Sequence, residues 1–273
     1  MSVILPPPTG FSASDLVFQD SFSGTSLNSA DWNTFMTSNA AHGAAWFGDG
    51  NGGSAIGNNQ TSFDAEYDRP SQISVDNGLT LTAVEKSTYP GYPFTSGVID
   101  TYGKMEFDGG YLQISMKQPN GDGAWPAIWL LPGAGAGNVG DNDEIDVQEG
   151  GMTDGTINPN DVLSGHLHTP SGVFGFDANA GVNLSAGYHT YGLDWVPGQS
   201  LTWYFDGRQV QRITSAQAPI PNEPMELILS NEVANSKASG WHTAYDSSTP
   251  YSMAMSVQDV QLYQTPGSGD KIS

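Results

Sequence analysis

Short segments of alternating apolar and polar residues, separated by glycine-rich turns, recur along most of the chain. Leu79-Thr80-Leu81-Thr82-Ala83-Val84 alternates as a half-buried strand does. Turns such as Asp108-Gly109-Gly110 and Asp206-Gly207 mark the gaps between such segments. No segment keeps the helical period of 3.6 residues for three turns. The pattern predicts an all-β protein, a jelly-roll sandwich of two curved antiparallel sheets.

The predicted strands follow one another at short spacing. They cover residues 16–22, 79–84, 98–107, 110–117, 125–131, 143–149, 163–168, 188–195, 200–205, 209–213, 225–230 and 253–263. Residues 37–62, rich in Gly, Asn and Ser, are interpreted as a long binding loop. We expect an exposed lead-in over residues 1–14, a single sandwich domain over 15–264, and a polar, mobile tail over 265–273.

The charge of the chain argues against two kinds of binding partner, and its cysteine content excludes disulfides. With 29 acids against 8 bases, the net charge of −21 argues against nucleic acid, which needs a basic face. The same scarcity of bases counts against a densely sulfated ligand. There is no cysteine, so disulfides do not staple the fold, and a core of this size needs none. No stretch approaches the roughly 18 apolar residues of a membrane span. We also expect the protein to be a monomer.

Three acids lie within the six residues Glu144-Ile145-Asp146-Val147-Gln148-Glu149. On a regular strand Glu144 and Asp146 share a face and Glu149 points the other way. A β-bulge near Val147-Gln148 would turn Glu149 to the face of the other two. Glycoside hydrolysis needs such a set, because one carboxylate attacks the sugar and one carboxylic acid protonates the leaving oxygen. Close carboxyls, about 5–5.5 Å apart, belong to the retaining mechanism.

Two other interpretations of this segment are weaker. A solvated polar face explains three clustered acids poorly, because like charges on one strand repel. A calcium site could use Asp141, Asp143, Glu144 and Asp146 as oxygen ligands. The run lacks the glycine at the sixth position of the calcium-binding hand loop and is interleaved with apolar residues, as a strand is. The catalytic interpretation is therefore preferred.

Two tryptophans precede the acids in Trp125-Pro126-Ala127-Ile128-Trp129. They are four residues apart, so an unbroken strand places both on one face. Apolar faces of sugar rings stack on aromatic rings. We predict Trp125 in a cleft, with Trp129 either beside it or in the core.

The acid motif together with the tryptophan motif resembles glycoside hydrolase family 16, which includes laminarinases, lichenases, agarases and carrageenases. The segments Gly110–Ser115, Tyr188–Trp195 and Leu201–Gly207 resemble strands of that family on either side of the active site. The resemblance covers roughly residues 15–263 and implies a jelly roll with a concave substrate cleft.

The resemblance also implies roles. Glu144 would be the nucleophile, Asp146 its helper and Glu149 the general acid/base. His168 would contact the sugar or the acids, and His166, which shares its alternation, could serve instead; a surface histidine is the alternative for either.

Further site residues are implied by position. Asn231 and Trp241 fall where the family often has cleft residues, although Ser230-Asn231-Glu232-Val233 departs from its usual apolar run. Asp20 and Asp259 match positions that hold a structural calcium in many members; a plain surface acid is the alternative for Asp259. No cofactor is expected for catalysis.

The resulting expectation is a secreted, endo-acting, retaining β-glycan hydrolase, acting on a β-1,3- or mixed β-1,3/1,4-glucan. Agarose-type galactan and bacterial exopolysaccharide remain alternative substrates. A glycan-binding module without activity is the alternative of another class, and the presence of all three acids counts against it. Residues 1–8 lack a basic region followed by a long apolar run, so no signal peptide is recognised and the export route stays open.

Overall fold

The computed structural model describes residues 5–34, 62–137, 143–153 and 155–272. Within these ranges the chain forms eighteen strands and five short 3-10 turns. The strands are β1 Leu16–Asp20, β2 Glu66–Asp68, β3 Ile73–Val75, β4 Leu79–Val84, β5 Phe94–Ser96, β6 Val98–Asp100, β7 Glu106–Phe107, β8 Gly110–Lys117, β9 Ala124–Pro132, β10 Glu144–Glu149, β11 Val162–Thr169, β12 Gly172–Asn179, β13 His189–Val196, β14 Ser200–Phe205, β15 Arg208–Thr214, β16 Met225–Val233, β17 Ser252–Tyr263 and β18 Lys271–Ile272. The 3-10 turns are Ala13–Asp15, Pro70–Gln72, Ala134–Ala136, Pro159–Asp161 and Ser236–Ala238.

The strands form two sheets. The ten-stranded sheet runs β15-β14-β13-β8-β17-β4-β5-β2, with β1 paired to β17 and β3 to β4. The eight-stranded sheet runs β12-β11-β10-β9-β16-β7-β18, with β6 paired to β16. Among the described pairings, β2 with β5 is parallel and the others are antiparallel. The predicted β-sandwich of antiparallel sheets is confirmed.

The core lies between the sheets and follows the alternation seen in the sequence. In β4, Leu79 and Leu81 are buried, whereas Thr80 and Thr82, which alternate with them, are half-buried. Trp195 and Trp203 are fully buried in this layer. Each donates its indole N–H to a backbone carbonyl, of Pro221 and Asp146 respectively. Large rings fill the space between the sheets at no polar cost, since their N–H groups are paired.

Several predicted boundaries were wrong. The segment 98–107 is two short strands with a turn between them, and β12 was missed. β12 alternates between exposed and half-buried positions at a sheet edge, so its sequence carries little of the apolar signal of a core strand. The tail is not a mobile extension over its whole length, because Lys271–Ile272 pairs with β7. The predicted loop 37–62 lies almost entirely outside the described residues.

No helix among the described residues is long and apolar enough to cross a membrane.

Candidate active site

A bulge in β10 brings the three acids together, as the sequence predicted. Opposite β9, Asp146 pairs with Trp129 and Gln148 pairs with Ile128, so Val147 is the extra residue. The bulge reverses the alternation after Asp146. Glu144, Asp146 and Glu149 consequently line one cleft on the eight-stranded sheet.

The pairing of β10 with β11 places two histidines of β11 beside the acids. Glu144 pairs with His168 and Asp146 with His166. His168 Nε2 lies 3.1 Å from an Asp146 carboxyl oxygen and 3.6 Å from one of Glu144. His166 Nδ1 lies 3.3 Å from Glu149 Oε2. Both histidines proposed from the sequence therefore lie against the acids, His168 beside Asp146 and Glu144 and His166 beside Glu149.

A second contact of the Glu149 carboxyl comes from Trp125 on β9. Its indole Nε1 donates to Glu149 Oε1 at 3.1 Å. Trp125 and Trp129 both line the cleft, which confirms that they share a face. They are 9% and 6% exposed, so each offers only a narrow edge to a ligand. Trp125 thus positions an acid as well as lining the cleft.

The side chain of Gln148 holds the bulge in place. Gln148 is 1% exposed and donates to the carbonyls of Glu149 and Val162 at 2.9 and 3.1 Å. Its own carbonyl accepts the backbone N–H of Ser164 at 3.2 Å. The backbone ladder between β10 and β11 ends at Asp146 and His166, so a side-chain amide replaces the missing ladder bonds.

The opposite sheet supports the bulge from below. Trp203 on β14 donates its indole N–H to the carbonyl of Asp146 at 2.8 Å. This approach requires a glycine at position 165, because a Cβ there would lie 2.6 Å from Trp203 Nε1. The catalytic strand is therefore fixed on both of its faces.

Burial and hydrogen bonding divide the protons among these groups. Burial, followed by the charge of Glu149, raises the pKa of Asp146 well above its usual value. Burial also opposes ionisation of Glu149, but the hydrogen bond and charge of His166 outweigh it and lower the pKa of Glu149. The same bond overcomes burial at His166 and raises the pKa of that imidazole. These shifts favour the neutral form of Asp146, the carboxylate of Glu149 and the imidazolium of His166.

Two further acids line the cleft and were missed as site residues. Asp64 and Glu232 face it alongside Trp129 and Glu144. Strand alternation at β16 explains Glu232, since its neighbour Asn231 points the other way. That alternation was visible in the sequence and would have identified Glu232. Asp64 lies just after undescribed residues and carries no comparable pattern.

Behind these acids lie two more buried carboxyls of β2, Glu66 and Asp68. Glu66 accepts the backbone N–H of Val233 at 2.7 Å. Burial, followed by the charge of Asp64, raises the pKa of Asp68 to about 7. Burial and the neighbouring acids likewise raise the pKa of Glu66 and of Glu232 well above the usual range. At this end of the cleft burial and mutual repulsion favour the protonated form of Glu66, Asp68 and Glu232, and a protonated carboxyl can both donate and accept hydrogen bonds.

Asn231, predicted to bind substrate, does not reach the cleft. It is 1% exposed, and its amide donates to the carbonyls of Leu81 and Met253 at 2.9 and 3.0 Å. Both acceptors belong to the ten-stranded sheet, so Asn231 ties the two sheets together. The prediction was wrong because successive residues of β16 alternate between cleft and core.

Trp241, the other predicted binding residue, lies beside the cleft rather than in its wall. Its ring centroid is 5.3 Å from that of Trp125 and 5.4 Å from that of Phe63. His242 packs against Trp125 from the same loop, with ring centroids 4.9 Å apart. These rings hold Trp125 in position at this end of the cleft.

The proposed calcium pair, Asp20 and Asp259, does not fit a shared cation in this arrangement. Asp20 accepts the backbone N–H of Phe22 at 2.7 Å and the indole N–H of Trp32 at 2.8 Å, one on each oxygen. The oxygens of Asp259 accept three N–H groups, from Leu5, Gln19 and Gln261. A calcium ion needs carboxylate oxygens turned toward it, and all four of these oxygens already face donors. Calcium binding stays a prediction.

Two overlapping trios of side chains could hold a transition metal. They are Glu144, Asp146 and His168, and Asp146, Glu149 and His166, with ligand atoms within 4.8 Å of one another in each trio. A metal bound by either trio would occupy the carboxyls that glycoside hydrolysis needs. Of the acids in the alternative calcium interpretation, Asp141 lies outside the described residues.

A β-sandwich whose cleft carries a row of carboxyls, flanked by tryptophans on the neighbouring strand, is the arrangement that a glycoside hydrolase of the jelly-roll class requires. Comparison with known proteins agrees with this class. Residues 58–253 match the family "Glycosyl hydrolases family 16". The chain belongs to this family.

Two relatives are similar to this chain in sequence, and a solved structure is similar to it in fold. The chain is 28% identical to "Glucan endo-1,3-beta-glucosidase A1" of Niallia circulans, over 97% of this chain and 40% of that protein. It is 30% identical to "Endo-1,3-1,4-beta-glycanase EglC" of Rhizobium meliloti strain 1021, over 75% of this chain and 45% of that protein. The chain thus spans less than half of these two relatives. The catalytic domain of the Thermotoga petrophila RKU-1 laminarinase has the same fold, with a TM-score of 0.72 at 24% identity over 91% of this chain and 97% of that one.

Proposed function

We propose that the protein is a secreted, endo-acting, retaining hydrolase of β-1,3- or mixed β-1,3/1,4-glucan. The observation that carries the proposal is the carboxyl row of β10, with Asp146 between Glu144 and Glu149. Asp146 has a carboxyl oxygen within 4.8 Å of one of Glu144 and a carboxyl oxygen within 4.8 Å of one of Glu149. Three carboxyls in one row along a strand support a double displacement, in which one carboxylate attacks the sugar and another carboxyl protonates the leaving oxygen.

In this mechanism Glu144 is the nucleophile. It is the least enclosed of the three acids at the cleft edge, with its side chain 26% exposed against 3% for Asp146 and 13% for Glu149. The carboxyl of Asp146, held neutral by burial, can donate a hydrogen bond to Glu144 or to the sugar. His168 lies within reach of both carboxyls and fixes their orientation.

Glu149 serves as the general acid and then as the general base. Its hydrogen bond with His166 lowers the pKa of Glu149 and raises that of the imidazole, which favours a proton on His166 before substrate binds. Approach of a sugar oxygen to Glu149 gives the proton an acceptor, and the His166–Glu149 pair can deliver it to the leaving group. In the second step Glu149 takes a proton from water, which then attacks the glycosyl-enzyme.

The lining of the cleft supports a neutral polymer. Acids line it, and neither Lys nor Arg is among the described residues that do so. A sulfated glycan would meet repulsion without a compensating base. The names of the relatives favour a glucan with β-1,3 or mixed linkages.

The test replaces Glu144 with glutamine and assays reducing ends from laminarin, lichenan, agarose and a succinoglycan-like polymer. The wild type is expected to release oligosaccharides from one of the β-1,3-containing glucans, and E144Q none. Azide should restore turnover to E144A with an inverted glycosyl azide as product. The exposed Glu85 provides a matched control, since E85Q should keep full activity. Full activity in E144Q would refute the assignment, and release from agarose alone would refute the substrate.

A further inference from the structure

A cavity lies away from the carboxyl row, on the outer face of the ten-stranded sheet. It measures about 600 Å³, whereas the part of the catalytic cleft formed by described residues measures about 180 Å³. Its floor and walls come from β8, β13, the β14–β15 turn and residues 5–9. Cavities of this size hold small ligands or a few units of a polymer.

The floor of this outer groove is set by one glycine. Across the sheet, Gly192 stands between Gln113 of β8 and Tyr204 of β14. With no side chain at this position, the outer face has a dip between two larger residues. A Cβ on Gly192 would lie 2.6 Å from the hydroxyl of Tyr111, so the absence of a side chain also makes room for that ring.

The proline-rich residues 5–9 form one wall and are anchored to the sheet. Gln113 Nε2 donates to the carbonyl of Pro6 at 2.9 Å, and Gln261 Nε2 donates to that of Leu5 at 3.2 Å. The backbone N–H of Leu5 donates to Asp259 at 3.0 Å. The segment predicted as an exposed lead-in is therefore a fixed part of the outer face.

The other wall combines aromatic rings with polar groups. Tyr204 is half-buried, and its ring centroid lies 5.3 Å from that of Tyr111. Asp206 is held in place by the backbone N–H of Thr190 at 2.8 Å and by His189 at 2.9 Å. Asp206 is the one charged side chain among the residues that line the groove.

We propose that this outer groove is a second glycan-binding site, which takes a few units of neutral β-glucan. The half-buried ring of Tyr204 offers a surface for the C–H face of a sugar, while the hydroxyl of Thr190 and the carboxylate of Asp206 can bond sugar hydroxyls. The absence of Lys and Arg from the lining, and the presence of Asp206, disfavour an anionic ligand. The inference rests on the proposed function for the identity of the sugar.

A second site on the opposite face changes how a polymer is held. A long glucan that binds at both sites makes the second contact at a high effective concentration. A short oligosaccharide cannot bridge the two faces, so its hydrolysis should not depend on the groove. The outer groove would thus favour long or insoluble chains without changing the chemistry.

The experiment titrates a β-1,3-linked glucohexaose into E144Q by calorimetry and compares it with E144Q carrying Tyr204→Ala. We expect two binding events for E144Q. Tyr204→Ala should weaken the second event by about two- to tenfold, the value of one aromatic contact, and leave the first unchanged. Tyr204→Phe keeps the ring and should retain the second event. Tyr251→Ala, which removes an exposed tyrosine outside the groove, is the matched control.

Activity in the wild-type background separates the outcomes. Tyr204→Ala should hydrolyse a short oligosaccharide at the wild-type rate, which also shows that it is folded, and should hydrolyse insoluble glucan more slowly. A single binding event in E144Q, or equal binding with and without Tyr204, would overturn the outer site while hydrolysis leaves the proposed function standing. Binding at the groove without hydrolysis of any glucan would instead overturn the proposed function.

Discussion

Replacing Gln148 with leucine tests whether the bulge in β10 is what aims Glu149. The substitution keeps the volume of a fully buried side chain but removes its three hydrogen bonds. The largest loss falls on the backbone N–H of Ser164, because the backbone hydrogen bonds between β10 and β11 end at Asp146 and His166. A buried polar group left without a partner costs about 1–3 kcal/mol. With smaller losses at the two carbonyls, we expect destabilisation of about 2–4 kcal/mol.

The loss of stability should be visible by thermal unfolding. For a domain of this size, 1 kcal/mol corresponds to about 2–4 °C in the melting temperature. Gln148→Leu should therefore melt about 5–15 °C lower than the wild type. Gln209→Leu, a change of the same kind at an exposed position of β15, should leave the melting temperature unchanged.

The activity of Gln148→Leu should fall in a substrate-dependent way. A misplacement of about 1 Å can cost on the order of a hundredfold in rate. Glu149 is needed to protonate a poor leaving group, so hydrolysis of polysaccharide should drop steeply. An aryl glycoside with a good leaving group needs little acid assistance in its first step and should lose much less. Rates are compared well below both melting temperatures.

Two results would refute this reasoning. An unchanged melting temperature would mean that the three bonds of Gln148 do not stabilise the bulge. Equal losses on polysaccharide and aryl glycoside would mean that the bulge does not act through Glu149.

Three further predictions concern the framework of the site. Asn231→Ala removes the amide that ties the sheets and should destabilise the fold by about 2–4 kcal/mol, measured by denaturant unfolding, with the KM of the remaining folded enzyme unchanged; a raised KM would restore Asn231 to the cleft. Gly175→Ala places a Cβ 2.4 Å from the His166 ring and should lower kcat by displacing the partner of Glu149, and wild-type kcat would contradict this contact. The pKa of Asp68 is raised from 3.8 to about 7 in the folded protein, so the folded state binds the extra proton and stability should fall as pH rises from about 4 to about 7. Asp68→Asn should flatten that fall in melting temperature and should be more stable than the wild type at pH 8. An identical pH profile in the two proteins would contradict the assignment.

The sequence was sufficient for the parts of the site that depend on strand periodicity. Three acids in six residues required a bulge if all were to face one side, and the register of β10 against β9 contains it. The pairing of His166 and His168 with the acids likewise follows from register.

For other residues of the site, the outcome depended on which face of the strand meets the core. The position of a residue in the family motif did not predict that face. Asn231 occupies a position matched to the cleft, yet its side chain lies between the sheets. Gln148 gave no signal, since nothing local distinguishes an amide that completes a backbone ladder from any other. The groove near Gly192 depends on contacts between residues more than 100 positions apart, such as Gln113 with Pro6.

The bulge also couples correct folding to activity. A slip of β10 by one residue would turn Glu144 and Asp146 inward between the sheets and Ile145 and Val147 outward. Burying two carboxyls without their histidine partners is costly, so the mispaired chain would be unstable as well as inactive. Covalent trapping of Glu144 by a mechanism-based inhibitor would therefore count correctly paired molecules, and the labelled fraction of a preparation would equal its natively folded fraction.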